Sequence, residues 1–159
     1  MDFSRQSLDQ AGFGKWNRIG ELSNGTLPDG PGVYLVRYPR AAPSFTELSC
    51  GGWFKGRDPT VARESLDANW VTGTDIVYIG KANNLRRRIR ELARFGQGHA
   101  IGHWGGRLMW QLEAPEELEV SWLETTGRDP YAAETEMITA FRSAFGKPPF
   151  ANDPHRLGG

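Results

Sequence analysis

A single cysteine in 159 residues, Cys50, has no partner for an internal disulfide and fits a reducing compartment. No apolar stretch approaches the roughly 20 residues that span a bilayer. The first residues, Met1-Asp2-Phe3-Ser4-Arg5, lack the charged-then-apolar layout of a secretory leader. A cytoplasmic protein with no membrane partner is therefore expected. Net charge is missing too, since 19 Lys and Arg meet 19 Asp and Glu. That balance argues against a general nucleic-acid coat protein, which is usually basic. Internal repeats and low-complexity segments are absent as well. What remains is an ordinary globular composition, 38% hydrophobic, long enough for one domain over 1–159 with a real core.

The zero net charge conceals an asymmetry. Between Lys81 and Arg107, the seven cations Lys81, Arg86, Arg87, Arg88, Arg90, Arg94 and Arg107 face one acid, Glu91. From Leu108 onward nine acids face four cations. A chain divided in this way can show one positive face to a polyanion and repel it elsewhere.

Turn residues and periodicity divide the chain into elements. A short helix is expected near 4–11. The cluster Pro28-Asp29-Gly30-Pro31-Gly32 should launch a strand over 33–36, within a strand region 30–37. A second strand is expected over 76–79, rich in β-branched and aromatic residues. The insertion 38–74 separates the two. Within it Asp58-Pro59 reads as an N-cap with a first-turn proline, and Ala62, Leu66 and Trp70 follow at helical spacing. The insertion suits a structural annex packed on the sheet, or a specificity or dimerisation element. Asn83 or Asn84 should cap a helix running to about Phe95, which Gly96-Gln97-Gly98 stops. Further strands are expected over 107–112 and 118–123. A last helix should begin at Asp129-Pro130 and run to Phe145, and the tail 153–159 should fray. The expected fold is α+β, a small antiparallel sheet of about three strands flanked by helices, with 75–152 completing the core.

Several residues stand out against this frame. In the arginine helix Leu85, Ile89 and Leu92 form the apolar stripe, and Arg86, Arg87, Arg90 and Arg94 point away from it at ~100° per residue. They suit a solvated face that meets phosphates. Arg88 lies only about 60° from the centre of the stripe, where a shielded guanidinium can clamp phosphate oxygens. In the last helix Glu134 shares the side of Met137, Ile138, Phe141 and Phe145. A carboxylate placed there snorkels out, pairs with Arg88, or holds a hard cation such as Mg²⁺. His99 and His103 are spaced for a metal pair on a helix, but the surrounding glycines disfavour one. His103 is instead a candidate phosphate contact or auxiliary base, beside Arg107 as a further phosphate contact.

Two tripeptides, Gly32-Val33-Tyr34 and Tyr78-Ile79-Gly80, sit on the two expected strands, and the second leads into the arginine helix. With Arg88, Glu134 and Asn152 following in order, this pattern resembles the GIY-YIG nuclease family. The stretch from Tyr78 to Arg88 is similar to the nuclease domain of the bacterial nucleotide excision repair endonuclease subunit. The resemblance covers roughly 30–152 without the insertion, which is longer than that family's usual link. It implies Mg²⁺-dependent hydrolysis of DNA phosphodiesters to 5′-phosphate and 3′-hydroxyl ends, with Mn²⁺ able to substitute. Glu134 would hold the metal, Arg88 would stabilise phosphate charge, and Tyr34 or Tyr78 would be the general base. Lys81 and Arg88 are expected to lower that tyrosine's pKa. Asn152 would support the site, and Gly32 and Gly80 would be structural. The partner would be double- or single-stranded DNA, in restriction, phage defence or repair; a restriction-type enzyme would be a homodimer. The competing reading is a non-catalytic module that binds nucleic acid through the Arg86 to Arg94 face.

Overall fold

The computed structural model describes residues 1–23 and 25–152; the tail expected to fray lies outside them. Four strands form one antiparallel sheet: β1 (Asn17–Arg18), β2 (Gly32–Arg37), β3 (Ile76–Ala82) and β4 (Glu119–Glu124), in the order β1-β4-β2-β3. The described helices are α1 (Arg5–Ala11), α2 (Arg63–Asn69), α3 (Leu85–Gly96) and α4 (Pro130–Phe145), with short 3₁₀ segments between them. The fold is thus α+β, as expected. The sheet gains a fourth strand because the two residues Asn17 and Arg18 pair with Val120 and Glu119 at its edge. A pair that short carries no period to detect.

Strand β2 lies between β3 and β4 and is buried on both faces, which explains its unbroken apolar run. Alternation sends Tyr34 and Val36 to one side, into a core with Leu85, Ile89 and Leu92 of α3. Val33 and Leu35 go to the other, with Ala133 and Phe141 of α4 and Leu8 of α1. Burying each such side chain contributes roughly 1.5–3 kcal/mol.

The expected caps hold in the second half of the chain. Asn84 accepts from the Arg87 N–H to start α3. Asp129 accepts from the Tyr131 N–H to start α4, and Gly146 ends it in the left-handed region at φ 83°. Asp58-Pro59 does not start a helix. Asp58 Oδ1 instead accepts from the Thr60 N–H at 2.9 Å, an Asx turn that competes with the cap, and α2 begins at Arg63. The segment expected as a strand over 107–112 is also different, a 3₁₀ helix over Trp104–Gln111. Every residue from Gly106 to Gln111 is buried, so the run had no period from which to tell the two apart.

The insertion is fastened to the core. Phe45 stacks on Phe150 at 5.6 Å between ring centroids, and Trp70 meets the same ring edge-on at 5.2 Å. The buried amide of Gln111 accepts from the Val61 N–H and donates to the carbonyls of Val61 and Thr46. Among the described residues no helix is long and apolar enough to cross a membrane.

Candidate active site

Register brings the two tyrosine motifs together. Tyr34 of β2 stands opposite Gly80 of β3, and Val36 opposite Tyr78. A Cβ on Gly80 would lie 2.6 Å from Tyr34 Oη and 2.7 Å from its Cε1, so the Tyr34 ring lies across the glycine. Only hydrogen fits between them. Gly32 is confined in the same way, by the Leu123 carbonyl and by Leu85 Cδ1 at 2.7 Å. Gly80→Ala is therefore expected to lower stability by about 1–3 kcal/mol through overpacking. A urea midpoint equal to wild type would show that the ring does not occupy that place.

The Tyr34 hydroxyl and His103 Nε2 share a hydrogen bond of 2.7 Å, and both side chains are fully buried. Tyr78 completes the group, its ring 5.9 Å from that of Tyr34 and 5.5 Å from that of His103. His103 thus belongs to a packed cluster, away from His99, which is exposed. Arg88 organises the approach. Its Nη1 donates to the Gly102 carbonyl at 2.6 Å, just before His103, and to Glu91 Oε2 at 2.8 Å.

The electrostatics correct one expectation. Burial pushes the Tyr34 phenol well above its usual pKa, and Tyr78 adds to the rise. Arg88 opposes the shift without overcoming it. Tyr34 therefore rests as a neutral phenol, contrary to the lowered pKa that nearby cations suggested. Burial also works against the charge on Arg88, but its pKa is raised all the same, with the hydrogen bond to the Glu91 carboxylate and that group's charge among the causes. The guanidinium is fixed as a cation.

Lys81 and Glu134 form a second cluster. Strand alternation turns Tyr78 and Gly80 toward α3 but Ile79 and Lys81 toward α4. Lys81 Nζ stands 3.6 Å from Glu134 Oε1 and 5.2 Å from the centre of the Tyr131 ring. The two clusters flank β3, an edge strand of the sheet. Asn152 completes that edge. Its Oδ1 accepts from the Ile79 N–H at 2.9 Å and its Nδ2 donates to the Ile79 carbonyl at 2.8 Å. The amide takes the place of a neighbouring strand between Tyr78 and Gly80.

Glu134 is a lone, nearly buried carboxylate, with no group of three or more His, Cys, Asp or Glu among the described residues. Its lysine stands beyond a good hydrogen-bond distance. Such a donor fits Mg²⁺, which takes few protein ligands and keeps several waters. No protein-family model, curated protein or solved structure matches this chain.

Arg86, Arg87, Arg90 and Arg94 line one cavity of about 640 Å³ with Asn84 and Gly102. Arg107 does not join them. It is buried, with its guanidinium stacked 5.0 Å from the Trp104 ring. Sequence reasoning gave no role to Tyr131 or to Gln111. Gln111 was hidden in a run read as a strand. Tyr131 had a legible signal, its place three residues before Glu134 on one helix.

Proposed function

We propose that this protein is a GIY-YIG-type, Mg²⁺-dependent endonuclease that hydrolyses DNA phosphodiesters to 5′-phosphate and 3′-hydroxyl ends. The observation that carries the proposal is the Tyr34 ring seated on Gly80, with its hydroxyl bonded to buried His103 beside the Arg88 cation. A neutral phenol cannot take a proton from water and keep its own. The pair can: water passes a proton to Tyr34 Oη while the phenol proton moves to His103 Nε2. The water oxygen then bonds to phosphorus, the bond from phosphorus to the 3′-oxygen breaks, and the leaving oxygen takes a proton from solvent water to become the 3′-hydroxyl. Arg88 stabilises charge on the non-bridging oxygens, where a fixed cation costs no reorganisation. Bound at Glu134, Mg²⁺ (or Mn²⁺) would neutralise charge on the phosphate and the leaving oxygen. Arg86, Arg87, Arg90 and Arg94 hold the neighbouring DNA backbone.

The test uses supercoiled plasmid and labelled single-stranded DNA, with Mg²⁺ or with EDTA. Wild type is expected to cut only with Mg²⁺. Arg88→Ala should lose about 10²–10³-fold in rate, the usual effect of removing one donor that stabilises developing charge. Salt-sensitive binding without cutting would instead make the protein a non-catalytic module using the arginine cavity. Nicks would indicate cleavage of one strand at a time, whereas discrete double-strand fragments would indicate a restriction-type dimer.

A further inference from the structure

The cluster at Glu134 contains an aromatic ring that the hydrolysis above does not use. Tyr131 is 61% exposed, although aromatic side chains are usually drawn inward. Of the exposed large apolar side chains, Leu48 and Trp53 belong to the insertion and Met1 to the start of the chain. Tyr131 instead lies against Lys81, with Nζ 5.2 Å from its centroid, and Lys81 Nζ lies 3.6 Å from Glu134. Tyr131 and Glu134 are also three residues apart on α4, and therefore neighbours on one helix face. A planar π surface, an ammonium and a carboxylate suited to a divalent cation thus stand side by side. They match a base, a phosphate and its metal, the recognisable parts of one nucleotide.

We propose that Tyr131 is the stacking platform for the base adjoining the scissile phosphate, and that the strand is unpaired there. The proposal rests on the nuclease reading and adds the form of its substrate. In a continuous duplex both faces of each base are occupied by its neighbours. A protein ring can meet a base only where the strand is single, frayed or flipped. The selectivity is for structure, because every base offers a π face.

The experiment measures binding in EDTA, where nothing is cut. A single-stranded oligonucleotide carrying 2-aminopurine is compared with its fully paired duplex. Stacking on Tyr131 quenches the probe in the single strand. Tyr131→Ala is expected to weaken single-strand binding about five- to a hundredfold and to abolish the quench. Tyr131→Phe, which keeps the ring, should stay within about twofold of wild type, as should duplex binding by both variants. Undiminished single-strand affinity and quench in Tyr131→Ala would overturn the proposal. So would an equal loss on both DNA forms, which would mark a general effect on the surface. Both results leave the nuclease reading standing. Absence of binding by wild type to either DNA would instead remove that reading, and the platform with it.

Discussion

Glu134→Ala is expected to leave Mg²⁺-dependent cleavage at least about a thousandfold below wild type, while DNA binding in EDTA stays within about twofold. The size follows from its being a lone carboxylate, with no group of three or more acidic, His or Cys residues among those described to take over. Retained binding follows from the separate position of the arginine cavity on α3. Stability should change little. The Lys81 contact is long and the lysine about a third exposed, so solvent screens most of what the pair is worth, and about 1 kcal/mol is the upper range. Glu134→Gln separates charge from packing. It keeps the side-chain shape inside the boundary of α4, and it should lose as much activity as alanine. A Gln variant that cut at the wild-type rate would show that no cation depends on this carboxylate. Titrating Mg²⁺ against wild type and Arg88→Ala adds a check, since Arg88 acts on phosphate charge and should leave the Mg²⁺ requirement in place.

Much of this arrangement was legible from local rules. The turn before β2, the β-branched run of β3, and the caps at Asn84 and Asp129 each have a local cause, and each element appears near its expected place. The separation of Lys81 from the tyrosines was legible as well. Tyr78 and Lys81 are three residues apart, and an odd spacing on a strand puts two side chains on opposite faces. Charge alone pointed the other way, toward one cationic group around a tyrosine. The pKa of Tyr34 was not legible, because burial decides it and burial depends on distant parts of the chain. His103 closes over Tyr34 where the following segment winds into a 3₁₀ helix and Arg88 holds the Gly102 carbonyl. Glycine-rich sequence on either side disguised that packing as an open loop. The insertion shows the same limit. The apolar spacing of Ala62, Leu66 and Trp70 suggested an annex packed on the core, but the attachment also uses Gln111 and Phe150, which lie outside 38–74, so its contacts could not be read from the insertion alone.

Tyr34→Phe and His103→Ala are each expected to lower the cleavage rate about 10²–10⁴-fold, and the double variant should be no slower than the slower single. Non-additivity is the decisive part. If the proton of Tyr34 must move to His103 as water is deprotonated, removing either end stops the same transfer, and nothing is left for the second change to remove. Independent roles would multiply the losses, and a double variant showing the product would overturn the relay. Stability offers an independent check. Tyr34→Phe leaves buried His103 without the 2.7 Å bond to the hydroxyl, a loss of about 1–3 kcal/mol measurable by urea unfolding. That cost should vanish when His103 is also replaced by a well-packed apolar residue such as Leu. The rate should not recover with it, which separates what the pair does for the fold from what it does for the reaction.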